Sequence, residues 1–528
     1  MNEQMKRALA LGRMDRRSFM AAALGAGFTL SAASLMASEA LASEPKQGGT
    51  LRVGFQQGAT SDSMDPATFN NDFMFALGYA VFNSLIELGP DGSAKPDLVE
   101  HFEATPDAKV WTFRLFDGVK FSDGKPLTSR DVIATLNHHM GENSKSGVKP
   151  LLTQIAEMKA DGDTTVVFTL SEGNADFPYI FNDYHLGIRP AQADGTIDPM
   201  TMIGSGGYTV ESFEPGVRAV LKRRGDYWKP KRAFIDTVEI IAIADATARM
   251  NALITGEVDL IDRPDLKTIH LLKRNKDIKI HTQDGTMHYV LPMFSDVAPF
   301  TDNNVRMALK YAIDREEIVS KVLKGYGSVG NDQPIAPSMP FYKADLPQRA
   351  YDADKAKYYL KQSGLTSLDV DLHTADASFN GAVDASVLFS ESAKAAGINI
   401  KVVREPDDGY WSNVWLKKPF CTSYWGGRPT PDLMFSSAYT PGADWNESHF
   451  DNARFNELLV KARSELDQAR RAEMYGEMQA IVSDEGSTII PAFGQYVSAM
   501  NKRVQIPDGV TQMWNLDGQR FIERWWVA

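Results

Sequence analysis

The chain has 528 residues, a formal net charge of −12, and an ordinary mixture of 43% hydrophobic and 23% charged side chains. That length exceeds the roughly 250–300 residues at which a single core stops growing, so two or more lobes are expected, and the composition excludes a disordered or membrane-embedded chain. The negative charge points away from nucleic acid, and a single cysteine, Cys421, excludes an intramolecular disulfide framework, a cysteine metal site and a lipid-anchoring cysteine near the amino terminus.

The first forty residues differ in kind from the rest. "RMDRRSFMAAALGAGFTLSAASLMASEALA" has a cationic start, 17 uncharged residues from Met20 to Met36, and small residues at Ala40 and Ala42. This is the layout of an export signal, and the run is too short and too weakly apolar for the about 20 residues that span a bilayer. Arg16 and Arg17, followed by Ser18 and Phe19, resemble the twin-arginine signal, which sends already folded proteins through the Tat machinery; adjacent arginines also occur in Sec signals. Cleavage after Ala42 removes five basic and three acidic residues, which moves the net charge from −12 to −14. The mature chain is expected to be free in the periplasm.

Next, "GGTLRVGF" reads as a glycine-bounded strand and "SMDPA" as a turn fixed by Pro66. In "VWTFRL" the apolar Trp111, Phe113 and Leu115 alternate with Thr112 and Arg114, the period of a half-buried strand. Two Asp-Gly turns lead to "LTSRDVIATL", where Thr128 and Asp131 mark a helix start and Val132, Ile133 and Leu136 its buried face. "GSGGYTVESFEPGVRAVLKRRGDYW" predicts two strands about Pro215-Gly216, and "DATARMNALITGEVDLID" a helix ended by Gly256 and a short strand. In "DNNVRMALKYAIDREEIVSKVLKG", Val305, Ala308, Leu309, Ala312 and Ile313 fall at helical spacing, with a restart at Asp314 and Glu317 and an end at Gly325. "DADKAKYYLKQSGL" repeats the helix-glycine pattern at Gly364. Alternating helices and strands favour an α/β fold, and the absence of a low-complexity linker favours lobes joined by short strand crossovers.

"VWTFRLFDGVKFSDGKPLTSRDVIATL" resembles the signature segment of the extracellular solute-binding proteins of the peptide/nickel class, family 5, which serve ABC importers. The resemblance continues through "GSGGYTVESFEPG", "NNVRMALKYAIDREEIVSKVLKGYG", "YDADKAKYYLKQSGL" and the segment "FDNARFNELLVKARSELDQARRAEMYGEMQAIVSDEGSTIIPAF", and so covers the mature chain. It implies a bilobal periplasmic binding protein fold with an added domain and a hinge of two crossovers, closing on a ligand between the lobes. On that pattern residues 43–84, 208–289 and 496–528 form the first lobe, 85–207 the inserted domain and 290–495 the second lobe. It also implies a monomer that delivers its solute to an inner-membrane permease, without enzymatic activity or a cofactor; a secreted enzyme on the same scaffold is the remote alternative.

The site is expected at "SYWGGRPTPD". Peptide binders of the family place an aspartate shortly after the corresponding tryptophan to clamp the ligand's amino terminus. Counting from Trp425, that position holds Arg428, and Asp432 matches the later acidic residue with one fewer residue between them. A guanidinium there disfavours an ammonium and suits a carboxylate, sulfonate or phosphate. The expected ligand is thus a peptide-like or anionic solute, with an opine-like conjugate as the alternative to a peptide; the competing reading ties Arg428 structurally to Asp432 or to loop carbonyls. Trp411, Trp415, Tyr439 and Trp445 supply stacking surfaces nearby, and Met64 and Asp65 are candidates from the first lobe. His138 and His139, neighbours on a helix, diverge too far to share a metal and read as surface or cap residues.

Overall fold

The computed structural model describes residues 45–528 and, ahead of them, only Ser18, Ala21 and Ala22. The leader landmarks Arg16, Arg17, Ala40 and Ala42 lie outside the described residues.

Two strands organise the molecule. Ile278–Pro292 and Thr488–Asn501 contain 15 and 14 residues, well above the usual about 5–6, and pair antiparallel from Ile278 opposite Asn501 to Pro292 opposite Thr488. At one end Thr488–Asn501 pairs with Leu260–Asp262, which lies parallel to Thr50–Phe55. The sheet then continues through Thr237–Ala242, Arg218–Arg223 and Tyr208–Glu214. At the other end Ile278–Pro292 takes Ser423–Trp425 on its free edge, and Thr488–Asn501 takes Gly327–Val329. One mixed sheet of nine strands therefore runs from Tyr208–Glu214 to Ser423–Trp425 in an α/β protein.

Local chemistry explains the elements that the sequence predicts. Trp111, Phe113 and Leu115 are buried in the strand Val110–Leu115, in a four-stranded antiparallel sheet with Val99–Ala104, Thr165–Leu170 and Ile155–Asp161. The Asp131 carboxylate accepts from the Thr128 N–H and hydroxyl at the start of Ser129–Met140. Gly216, at φ 72°, turns the hairpin between Tyr208–Glu214 and Arg218–Arg223, where a Cβ would lie 2.6 Å from Thr60 N. The helix Ala353–Gln362 packs beside Asn303–Ala312, over the parallel pair Leu368–Thr374 and Ile398–Arg404. The last residues return to the first strands, with Phe521, Trp525 and Val527 in one core with Leu51 and Val53.

One local expectation needs correction. His139 is fully buried rather than on the surface; its Nδ1 lies 2.7 Å from Ser146 Oγ, and burial drags its pKa down to about 3, which keeps it neutral. His138 instead pairs with Asp65 at 2.9 Å. Trp411 lies in the single helical turn Tyr410–Asn413, and the chain has left helical geometry by Leu416, at φ 58°.

Outside the sheet, the second half of the chain meets the four-stranded domain through a buried ion pair. Arg471, in the helix Gln468–Glu485, holds Asp176 at 2.6 Å with both side chains all but removed from solvent. Beside it the Ala175 N–H donates to Arg463 O at 2.7 Å.

Candidate ligand-binding site

The strand Ser423–Trp425 sits on the sheet edge through Val290 opposite Ser423, Tyr289 opposite Tyr424 and His288 opposite Trp425. This pairing fixes where the following corner starts. Gly427 then passes so close to Thr286 that a Cβ would stand 1.7 Å from its Oγ1 and 3.2 Å from Met513 O. Thr286 lies where the ladder between the two long strands is interrupted, between Asp284 and His288. The glycine is needed for clearance, and it seats the corner directly on the irregular stretch of the long strand. Thr430 closes the corner by capping the helix Pro431–Ala438. Gly427→Ala is expected to cost about 1–3 kcal/mol by overpacking, read as a lower denaturation midpoint; an unchanged midpoint would mean that Thr286 can turn aside.

Between these anchors, Arg428 has its guanidinium carbon 5.4 Å from the Trp425 ring centroid, and its Nη1 donates to Gly426 O at 3.4 Å and Gly427 O at 3.3 Å. Among the described residues it has no carboxylate within ion-pair distance. Asp183, whose field it feels together with Tyr184, is bound to His185 at 2.5 Å. Burial lowers the pKa of the guanidinium, with Tyr184 and Asp183 acting in the opposite sense, and the group stays charged. Arg428 is thus a partly desolvated cation without a counter-ion. It also borders a gap of about 10 Å³ walled by Leu88, Met339, Pro340, Thr511 and Met513, so three parts of the chain meet around it.

A cavity of about 260 Å³ is lined by Trp411, Trp415, Tyr424, Trp425, Gly426, Arg428 and Trp445. Its rings are held from behind by Glu447, which is buried and accepts from Trp415 Nε1 at 2.5 Å and Trp425 Nε1 at 2.6 Å. Burial raises the Glu447 pKa, while hydrogen bonds from Trp415, Trp425 and Ser423 oppose the rise. Tyr184, whose field Arg428 feels, stacks on Phe75 at 3.6 Å and lies 5.4 Å from Trp514.

The structure brings Arg428, Trp425, Trp411, Trp415 and Trp445 to one cavity. It places the other candidates elsewhere. Asp432 is buried against Arg463 at 3.1 Å, and burial pushes its carboxyl up to about 6; it makes no bond to Arg428, whose contacts are loop carbonyls. Tyr439 is a core residue among Phe435, Phe450 and Phe455. Met64 is fully buried, and Asp65 caps Pro66–Thr68 while holding His138, so neither lines the cavity. Sequence reasoning missed Tyr424, Tyr184, Phe75, Trp514 and Glu447. Tyr424 adjoins Trp425 and was within reach of the cluster argument; Glu447, two residues after Trp445, carries no pattern that marks it as a scaffold.

The family model of the bacterial extracellular solute-binding proteins, family 5, matches residues 93–447, well over half of the chain and all of the cavity. This protein belongs to that family. It is the substrate-binding component of an ABC importer, in a family of solute-binding proteins rather than enzymes. It is 26% identical over 519 residues to the periplasmic oligopeptide-binding protein OppA of Escherichia coli (strain K12), covering 88% of this chain and 92% of OppA. Its fold is similar to HbpA2 from Haemophilus parasuis, at a TM-score of 0.78 and 24% identity over 88% of this chain and 99% of the other. It also resembles the ABC transporter substrate binding protein CtaP from Listeria monocytogenes, at 0.79 and 21% over 91% of this chain and all of CtaP. Among the described residues no helix is long and apolar enough to cross a membrane.

Proposed function

We propose that this family 5 protein works as a monomer in the periplasm, exported by the twin-arginine route and cleaved near Ala42, and that it captures a solute bearing an anionic group. In this reading residues 43–84, 208–289 and 496–528 form one lobe, 85–207 the inserted domain and 290–495 the other lobe, with the two long strands as the hinge. The solute lies against Trp411, Trp415, Trp425 and Trp445, and its anionic group meets Arg428. The observation that carries this is a half-buried guanidinium at a cavity wall whose partners are weak contacts to loop carbonyls. A carboxylate, sulfonate or phosphate would give it the charge-assisted pair it lacks, whereas a peptide amino terminus would face a like charge. Relatives named for oligopeptides and dipeptides make a peptide the competing ligand.

Arg428→Ala is expected to weaken the solute that travels with the wild-type protein about 10- to 100-fold in titration calorimetry, the loss of one charged hydrogen-bond pair. Equal affinity in the two proteins would reduce Arg428 to a structural residue.

A further inference from the structure

The rings around the Arg428 cavity stand as walls. Tyr424 meets Trp411 at 68° and 5.7 Å, Trp411 meets Trp415 at 80° and 5.7 Å, Trp415 meets Trp445 at 55° and 6.5 Å, and Trp445 meets Trp425 at 62° and 5.9 Å. A flat ligand is gripped between parallel faces; successive walls at steep angles enclose a compact, rounded group. Behind two of these walls the Glu447 carboxyl group accepts both indole N–H groups, which enriches the electron density on the ring faces. No carboxylate or carboxamide side chain lines the cavity, and the Tyr424 hydroxyl is its only side-chain oxygen. A primary ammonium would leave N–H donors unsatisfied there, whereas a quaternary ammonium has none to satisfy.

We propose that the solute is a zwitterion whose quaternary ammonium sits in the box of Trp411, Trp415, Tyr424 and Trp445 and whose anionic group reaches Arg428. This rests on the anion reading of Arg428 above, and extends it to the other end of the ligand. Glu447 is then a positioning residue, fixing two indoles whose ring faces favour a cation.

The test is calorimetric titration of the exported protein with 4-trimethylammoniobutyrate, its neutral-headed carbon isostere 5,5-dimethylhexanoate, and tetramethylammonium chloride. The expected result is that the betaine binds at least about tenfold more tightly than the isostere. Trp445→Ala, at a half-exposed side chain whose loss leaves the core intact, should abolish that preference. Glu447→Gln should weaken the betaine several-fold without affecting the isostere, a split that a merely structural role would not produce. Arg428→Ala should weaken both carboxylates and leave tetramethylammonium unchanged. If Arg428→Ala weakens the isostere but the betaine has no advantage over it, the quaternary ammonium is overturned while the anion reading stands. If tetramethylammonium binds in a Trp445-dependent way but Arg428→Ala alters neither carboxylate, the anion reading fails and the zwitterion falls with it. Binding of peptides with none of the three probes overturns both.

Discussion

In Arg471→Met the lobes are expected to separate and ligand affinity to fall by about 10²- to 10³-fold. Arg471 and Asp176 lie 2.6 Å apart with side-chain exposures of 2% and 3%, across the contact between the helix Gln468–Glu485 and the four-stranded domain. Removing one partner of such a pair leaves a buried, uncompensated charge, at a cost of about 3–5 kcal/mol. Asp176 can escape that cost by becoming hydrated, which requires the contact to open. A receptor that binds in the closed form then loses apparent affinity in proportion to the closed population. Small-angle scattering should show a larger radius of gyration than in the wild type. Adding Asp176→Asn, which removes the stranded charge, should recover part of the loss. Unchanged scattering and affinity would mean that this contact does not control closure.

Asp332→Ala should destabilise the protein by a similar about 3–5 kcal/mol without touching the cavity. The Asp332 carboxylate is fully buried and accepts from Arg315 Nη2 at 2.7 and 2.8 Å, from Arg349 Nη1 at 2.6 Å and from the Ile490 N–H at 2.9 Å. Burial alone would raise its pKa; the Arg315 and Arg349 charges outweigh this and hold it below the usual carboxylate value. The sign follows. A depressed folded-state pKa contributes stability above the unfolded value of about 3.9, and that contribution is lost as pH falls below it. Denaturant midpoints measured down the pH scale should therefore decline in acid for the wild type and show less of that decline in Asp332→Asn. A variant with the wild-type midpoint at neutral pH would contradict the assignment.

Much of the fold was legible because short-range chemistry decides it. The alternation of Trp111, Phe113 and Leu115, the Thr128–Asp131 cap and the glycine end at Gly256 each occur where the residue pattern places them. Single-residue periodicity fails where tertiary packing sets the environment. His139 reads as one of a polar pair, yet it is enclosed by its helix and Ser146. Asp432 and Tyr439 stand in the right stretch of sequence, but the helix Pro431–Ala438 turns Asp432 to Arg463 and delivers Tyr439 to the core. The cluster of aromatics with Arg428 was visible as a neighbourhood in sequence. Its counterparts Phe75, Tyr184 and Trp514 come from distant segments that meet only in the folded chain, and no local pattern announces them.

The most direct test of the central claim, a solute held through an anionic group at Arg428, is native mass spectrometry of the protein taken from the periplasm, with release and identification of the bound molecule. One dominant non-peptidic compound with an acidic group is expected, absent from Arg428→Ala prepared in the same way. A ladder of peptide masses, retained by the variant, would contradict it.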